Sequence, residues 1–247
     1  MIDQKTAKEI AIMKEGGKIL SFVLREVAKV IKPGISTWEL NQLANQLVKN
    51  KGAEPSFLNY NGYPSSLCVS INEEIVHGIA KKDKIVQNGD LVKIDFGVKY
   101  RGLFTDSAIT VPVGKISRAS KKIMNVTKNS LEKAIKILKP GVQVGDISSV
   151  IQNYVESEGL SVVKDLVGHG VGRKVHEDPR VPNYGLPGTG PVLSEGVCIA
   201  IEPMVTAGSS GVVLADDGWT YKSADDSMTA HFEKTIAIIK SGHQILT

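Results

Sequence analysis

The chain has 247 residues, of which 42% are hydrophobic, and a formal net charge of +4 at pH 7. This length and composition are enough to bury a large core, either as one domain or as two halves that share it. The mild charge gives no indication of nucleic-acid binding, and no apolar run approaches the roughly 18 residues that a membrane span requires.

The first residues and the cysteines indicate a reducing compartment. Residues 1–5 contain neither an apolar signal segment nor the arginines of a transit peptide, which predicts a cytoplasmic protein. Cys68 and Cys198 lie in apolar contexts, without the spacing of a zinc site or the density of a disulfide framework. Both thiols are therefore predicted to be reduced and buried.

The predicted elements follow the same order twice along the chain. Long helices are predicted near 4–31 and 117–139, each ended by Lys-Pro-Gly, and shorter helices near 36–51 and 143–158. Strand candidates lie at 67–71, 91–98, 103–111, 161–167, 196–202, 212–215, 219–222 and 231–239. Pairs of helices followed by strands indicate an α+β fold. The Gly- and Pro-rich segment 177–195 is predicted to be a functional loop.

A shift of the sequence by 107 positions superimposes the two series of elements. Ile31-Lys32-Pro33-Gly34 falls on Leu138-Lys139-Pro140-Gly141, and Asp95 falls on Glu202, each within an apolar strand. Coincidence is the alternative, since Lys-Pro-Gly commonly ends a helix, but the agreement extends over a whole unit. The repeat predicts one domain of residues 1–247, with halves at about 4–111 and 117–239 related by a pseudo-twofold axis.

The strand that carries Asp95 is predicted to form a hairpin with the next strand through Lys99-Tyr100-Arg101-Gly102. A turn centred between Tyr100 and Arg101 places Asp95 directly opposite Asp106. Side chains opposed in this way lie roughly 5 Å apart at Cβ, and like charges there repel each other. A shared proton or a bound cation would offset the repulsion. The alternative is that Asp106 points into solvent from an irregular edge.

Histidine is scarce, with five in the chain, and four of them have informative neighbours. His169 lies between two glycines, which let backbone and ligand approach closely, although Gly-His-Gly alone more often marks an ordinary loop histidine. His176 begins the long loop, and His77 precedes a glycine in a polar turn. His231 lies two residues before Glu233, on the same face of the strand if that strand is regular.

Several motifs together resemble the type I methionine aminopeptidases, which have the pita-bread fold. The match runs from about residue 3 to 240 and rests on Asn72-Glu73-Glu74-Ile75-Val76-His77-Gly78, Lys93-Ile94-Asp95-Phe96-Gly97, Asp106-Ser107-Ala108, Gly168-His169-Gly170-Val171-Gly172, Ile201-Glu202-Pro203 and Phe232-Glu233. The resemblance implies an α+β fold whose two pseudo-twofold-related halves surround a central antiparallel sheet. It also implies a hydrolase that removes the initiator methionine from nascent proteins when the second residue is small.

The resemblance assigns roles to individual residues. The family's five metal ligands fall on Asp95, Asp106, His169, Glu202 and Glu233. In the family, the residues matching His77 and His176 contact the substrate backbone and assist the chemistry. The methionine pocket is lined by the matches of Tyr60, Tyr63, Cys68 and Trp219. Two positions depart from common relatives, since Val175 stands where bacterial relatives often have Phe and Phe57 where some have Cys.

Physical chemistry explains why these residue types would serve. Four carboxylates and one imidazole form a mostly oxygen ligand set, which suits two divalent ions such as Co, Mn, Fe or Zn. A hydroxide bridging the two metals would attack the scissile carbonyl, and Glu202 would pass the proton to the leaving amine. His77 and His176 would stabilise the oxyanion or orient the peptide. A monovalent cation is a further candidate cofactor.

The expected partners are nascent polypeptide N-termini, with the ribosome near the exit tunnel as a further candidate. Neither nucleic-acid specificity nor a membrane is expected, and the chain is expected to act as a monomer. Two alternatives are weaker. A proline-specific aminopeptidase or prolidase would keep the ligands but usually carries a large N-terminal domain. A binding module that has lost its metals would show broken ligand positions, and none of the five is broken.

Overall fold

Four helices lie close to their predicted ranges in the computed structural model, which describes residues 2–247: α1 (Ala7–Val30), α2 (Thr37–Asn50), α3 (Arg118–Lys136) and α4 (Val144–Ser157). The first two begin with capping boxes, in which the N-cap side chain accepts from the N3 amide and the N3 glutamate accepts from the N-cap amide. The pairs are Thr6 with Glu9 and Ser36 with Glu39. These capping patterns explain why the sequence places the helix starts well.

Equivalent positions in the two halves have the same backbone conformation and hydrogen bonds. Gly34 and Gly141, the ends of the two Lys-Pro-Gly sequences, have φ of 93° and 94°. The amide of Gly34 donates to the Val86 carbonyl at 2.9 Å, and that of Gly141 donates to the Leu193 carbonyl at 2.8 Å. Both pairs differ by 107 positions, so the sequence repeat is also a repeat of local structure.

The strands form two larger and two smaller antiparallel sheets. They are β1 (Glu54–Pro55), β2 (Leu67–Ile71), β3 (Glu74–Val76), β4 (Leu91–Tyr100), β5 (Leu103–Pro112), β6 (Ser161–Val162), β7 (Val167–Gly170), β8 (Glu177–Pro182), β9 (Cys198–Ile201), β10 (Met204–Thr206), β11 (Val212–Leu214), β12 (Tyr221–Ser223), β13 (Thr229–His231), β14 (Lys234–Ile239) and β15 (Gly242–Ile245). In the first half, β4 pairs with β1, β2 and β5. In the second half the order is β15-β14-β9-β7-β8. The smaller sheets have the orders β13-β10-β6 and β11-β12-β3.

The two larger sheets meet where β5 lies against the start of β14. The Asp106 amide donates to Thr235 Oγ1 at 2.9 Å, and the Glu233 amide donates to the Ala108 carbonyl at 2.9 Å. Ser107 Oγ donates to the Glu233 carbonyl at 2.8 Å. This junction brings Asp106 and Glu233 together at the centre of the molecule.

Each half has its own apolar core between its helices and its larger sheet. The fully buried Leu40 and Ile94 belong to the core under α1 and α2, and Ile147 and Ile199 belong to the core under α3 and α4. Burial of one such side chain contributes about 1.5–3 kcal/mol. The two cores support the central sheets from outside and leave the opposite faces free for polar side chains.

The register of the β4–β5 hairpin differs from the prediction. Asp95 lies opposite Ala108, and Asp106 lies opposite Gly97. The turn is the two-residue Arg101-Gly102, with φ of 49° and 82°, because two left-handed residues match the twist of a tight hairpin. Pairing is therefore shifted by two residues, which leaves both acids on the same face as diagonal neighbours. The alternative that Asp106 points into solvent is also wrong, since its exposure is only 4%.

Other differences concern strands that the sequence merged or missed. The candidates 161–167 and 231–239 are each divided into two strands, and the predicted loop 177–195 begins with the edge strand β8. The turn signal Asp216-Asp217-Gly218 does lie between the paired strands β11 and β12. No helix within residues 2–247 is long and apolar enough to cross a membrane.

Candidate metal centre and substrate cavity

One cavity of about 1000 Å³ contains every side chain that was predicted for the site. The acids and one histidine lie at its centre, the other two histidines lie beside them, and aromatic side chains and a thiol form one end. The predicted residues that line it are Asp95, Asp106, His169, Glu202, Glu233, His77, His176, Tyr60, Tyr63, Cys68 and Trp219.

The polar centre combines side chains from both larger sheets. Asp95 lies on β4, Asp106 on β5 and His169 on β7, while Glu202 follows β9 and Glu233 precedes β14. His169 Nε2 lies 3.6 Å from Glu202 Oε1 and 3.9 Å from Asp106 Oδ2. One ligand-type atom each from Asp106, His169 and Glu233 lie within 4.8 Å of one another. These distances would allow several of the side chains to share an ion.

Burial raises the pKa of all four carboxyl groups, and the charge of Asp106 adds to this effect at the other three. Burial raises the pKa of Asp106 to about 7, although hydrogen bonds with the Asp95 side chain and from the Ser107 amide, the latter at 2.9 Å, act in the opposite direction. Burial, followed by the charge of Asp106, raises the pKa of Asp95, Glu202 and Glu233 well above the usual range. Such a cluster is unfavourable without positive charge among its members. A bound cation would remove the conflict.

The donor atoms fit a divalent metal. Asp95 Oδ1 and Glu233 Oε1 are buried and have no hydrogen-bond partner among residues 2–247. The Nδ1 atom of His169 lies 2.8 Å from the Gly170 carbonyl, which assigns it the proton and leaves the Nε2 lone pair directed at the acids. Burial lowers the pKa of His169 to about 3, so its ring is neutral at pH 7. Oxygen donors with one imidazole match the preferences of Mn, Fe, Co and Zn.

His77 and His176 lie beside this cluster without belonging to it. The rings of His176 and His169 are 4.3 Å apart at their centroids, edge to face, and His176 Nδ1 lies 3.0 Å from the Tyr60 hydroxyl. His77 has φ of 59° and packs edge-on against Tyr221. Burial lowers the pKa of both rings, that of His77 to about 4. Both are therefore neutral at pH 7 and able to donate one hydrogen bond.

The apolar end of the cavity adjoins a cluster of aromatic rings, a thiol and two aliphatic side chains. Tyr63 and Trp219 meet edge to face with centroids 5.2 Å apart, and the Tyr63 hydroxyl donates to the Gly78 carbonyl at 2.9 Å. The packed cluster consists of Phe57, Tyr63, Cys68 and Val175, with Tyr60, Ile79, Phe104 and Trp219 partly buried against it. Aromatic surface and polarizable sulfur suit an unbranched thioether side chain.

His231 is a cavity neighbour whose contact the sequence did not reveal. Its Nε2 atom lies 3.5 Å from Glu202 Oε2, and neither ring nitrogen has a hydrogen-bond partner within residues 2–247. The sequence placed His231 only near Glu233. The contact with Glu202 depends on the antiparallel pairing of β10 with β13, in which Met204 lies opposite His231. No signal in the sequence specifies that pairing.

Residues 11–240 match metallopeptidase family M24. Methionine aminopeptidase 1 of Bacillus subtilis is 50% identical over 247 residues, which cover 100% of this chain and 99% of that protein. The chain belongs to the methionine aminopeptidases of family M24. The resemblance found in the motifs is therefore confirmed, as is the predicted class of metal-dependent aminopeptidase.

Solved structures of this family have the same fold. The methionine aminopeptidase of Thermotoga maritima superimposes with a TM-score of 0.99 at 49% identity, covering 100% of this chain and 99% of that one. The prolidase of Pyrococcus horikoshii superimposes with a TM-score of 0.80 at 28% identity, covering 99% of this chain but 63% of that one. The predicted α+β pita-bread fold is confirmed. That prolidase has a further region that this chain does not match.

Proposed function

We propose that this enzyme removes the initiator methionine from nascent proteins and peptides whose second residue is small. The observation that carries the proposal is one cavity in which an acid–histidine cluster adjoins an apolar pocket suited to a thioether side chain. Relatives named methionine aminopeptidase, at 50% and 46% identity over the full chain, support it.

The metal ligands in this proposal are Asp95, Asp106, His169, Glu202 and Glu233. Two divalent ions would offset the mutual repulsion of four buried carboxylates, and Co, Mn, Fe and Zn are the candidates. When bound, such ions lower the pKa of a water molecule and polarise the scissile carbonyl. The orphaned oxygens of Asp95 and Glu233 support this assignment because they have no other partner within residues 2–247.

The remaining chemistry belongs to groups of the chain itself. Glu202 faces the cavity beside His169, so its carboxylate would take the proton of the attacking water and return it to the leaving amine. His77 and His176 are neutral donors that would hold the carbonyl oxygen as charge develops, or orient the peptide. The Tyr60 hydroxyl, 3.0 Å from His176 Nδ1, would fix the direction of that ring.

Specificity in this proposal comes from both sides of the scissile bond. The pocket formed by Tyr60, Tyr63, Cys68 and Trp219 would enclose the methionine side chain. The second residue would lie beside the metal-binding rim and His176, where a large side chain would clash. Efficient cleavage is therefore expected before Ala, Gly or Ser, and poor cleavage before Lys, Arg or Leu.

The proposed substrate also sets the place of action. Nascent N-termini would be met in the cytoplasm, and docking on the ribosome near the exit tunnel would bring the enzyme to them. The enzyme would act as a monomer in this proposal.

The test compares kcat/KM for short peptides beginning Met-Ala, Met-Lys, Ala-Pro and Leu-Ala, using protein loaded with Mn or Co. Met-Ala should be cleaved far better than the other three, and removal of metal with a chelator should abolish cleavage. Efficient cleavage of Met-Lys, or a preference for Ala-Pro over Met-Ala, would overturn the proposal.

A further inference from the structure

Lys93 on β4 is among the largest fully buried side chains of residues 2–247, with an exposure of 1%. Its Nζ atom forms no salt bridge with any acid in that range. It donates instead to the main-chain carbonyls of Asn72 at 2.7 Å and Leu91 at 3.5 Å. Since buried charges are normally paired with opposite charges, this arrangement calls for a functional reason.

The Asn72 carbonyl joins three parts of the fold. This carbonyl accepts from the amine of Lys93 on β4. It also accepts from Thr229 at the start of β13, whose amide nitrogen lies 3.0 Å and whose Oγ1 lies 2.7 Å from the carbonyl oxygen. Thr229 Oγ1 also lies 2.9 Å from the Glu74 carbonyl on β3. Asn72 itself has φ of 53°, so its carbonyl is presented from a tight left-handed turn. A positive charge at this point stabilises the carbonyl oxygens of Asn72 and Leu91, both of which accept from the Lys93 amine.

The two strands tied together here both lead into the cavity. β3 ends at Val76, and His77 follows it with φ of 59° and lines the cavity. β13 ends at His231, whose ring lies against Glu202. The Lys93 amine is therefore connected to the strands of both histidines through the Asn72 carbonyl, while Lys93 itself does not line the cavity.

We propose that Lys93 is a positioning residue whose ammonium group acts as a tethered monovalent cation. This group occupies the place where a potassium-sized ion could otherwise lie, and it holds β3 and β13 in position. The monovalent cation expected as a cofactor is on this view supplied by the chain itself. The inference uses the proposed aminopeptidase activity as one readout. It predicts that the natural enzyme does not depend on alkali cations.

The decisive comparison uses Lys93→Ala, which leaves the carbonyls but removes the amine, and Lys93→Met, which fills the space without charge. Activity on a Met-Ala peptide is measured in tetramethylammonium chloride, whose cation is too large for the space, and in potassium or ammonium chloride at equal ionic strength. Lys93→Ala should lose about tenfold or more in kcat/KM in the first salt and recover in the other two. Lys93→Met should stay impaired in all three, and the natural enzyme should be equally active in all three.

Several outcomes would overturn the tethered cation: full activity of Lys93→Met, no recovery of Lys93→Ala by potassium or ammonium, or potassium dependence of the natural enzyme. The melting temperature provides a second readout that needs no catalysis. Potassium should raise it for Lys93→Ala alone, and equal melting in potassium and tetramethylammonium would contradict the proposal even if that variant folds poorly. Absence of aminopeptidase activity in the natural enzyme would refute the proposed function. The melting temperatures would still decide the role of Lys93 in that case.

Discussion

Oε2 of Glu202 lies 3.5 Å from Nε2 of His231, and Oε1 of the same carboxylate lies 3.6 Å from Nε2 of His169. The carboxylate thus lies between two imidazoles. Burial lowers the pKa of His231 to about 3, with His77 acting in the same direction, so the His231 ring is neutral at pH 7 and has one proton to donate. A proton on Nε2 would orient the carboxylate that we assign to proton transfer.

This arrangement predicts different effects for two substitutions of similar size. His231→Gln retains an N–H donor and should keep activity within a few-fold. His231→Leu removes the donor and should lower kcat by about 10–100-fold, the usual effect of losing a partner of a metal-site ligand, with a smaller change in KM. Steady-state kinetics and metal analysis of both variants provide the check. Equal kcat values for the two would show that the donor does not matter.

Asp106→Asn should abolish both metal binding and activity while leaving the fold largely intact. Asp106 is the acid that raises the pKa of all three other carboxyls, which places it at the centre of the cluster. Its replacement removes one ligand charge without changing side-chain volume. Metal content by mass spectrometry, circular dichroism and peptide cleavage give the three readouts, with the exposed Asp83→Asn as a matched control. Wild-type turnover by Asp106→Asn would refute the ligand assignment.

The metal-free protein should lose stability as pH rises above about 6.5. The folded-state pKa of Asp106 is raised from 3.8 to about 7, and those of Asp95, Glu202 and Glu233 are raised well above their usual range. A carboxyl with a raised folded pKa stabilises the fold at low pH, and this stabilisation is lost as pH rises through that pKa. The slope is about 1.4 kcal/mol per pH unit for each proton of difference.

Buried histidines set the lower edge of that pH window. The folded-state pKa values are lowered for His77, His169 and His231. These histidines therefore stabilise the fold fully above their ordinary pKa of 6.5. Below that pH their contribution falls as pH falls, which opposes the gain in stability from the acids. Thermal melts between pH 6.5 and 8.5 should fall for chelator-treated protein and change little for metal-loaded protein. A flat profile in the chelator would contradict the reading of the cluster as mutually repelling.

The sequence predicted the helices well and the contacts between strands less well, for physical reasons. Helix ends depend on local capping, as at Ser36 and Glu39, and local signals are visible in a sequence. Pairing between distant strands is not local, so the contact of His231 with Glu202 was missed. The register of Asp95 against Asp106 was wrong by two residues because both Tyr100-Arg101 and Arg101-Gly102 can centre a turn. The prediction that Asp95 and Asp106 lie together was still correct, because a register shift of two residues keeps each side chain on the same face of the sheet.

His176→Ala should lower kcat/KM by roughly 10²–10⁴, the scale expected for losing one acid–base or oxyanion group. Its metal content should be unchanged, because His176 faces His169 and Tyr60 and is not assigned as a ligand. His243→Ala is a suitable control, since His243 lies outside the cavity and contacts the Leu138 carbonyl. If His176→Ala instead retains one metal fewer, the five-ligand assignment is incorrect.

Phe57 and Val175 are the two departures from common relatives, and both belong to the buried cluster at the apolar end of the cavity. The motif resemblance implies that relatives often have Phe at the position of Val175 and that some have Cys at the position of Phe57. On that comparison, this chain places the bulk on the opposite side of the cluster. Volume-conserving exchanges within a packed core are tolerated far better than gains or losses of volume. The two residues are therefore predicted to compensate for each other.

A double-mutant cycle tests this compensation. Phe57→Cys should open space in the pocket and Val175→Phe should crowd it, so each alone should raise KM for Met-Ala peptides. The double variant should recover most of the loss, with an interaction free energy of about 0.5–3 kcal/mol, the range for residues that share a cavity. Comparison with Leu-Ala and Met-Lys peptides separates pocket shape from the limit on the second residue. Strictly additive losses would show that the two substitutions act independently, and that this pocket tolerates Val175 for a reason other than the bulk of Phe57.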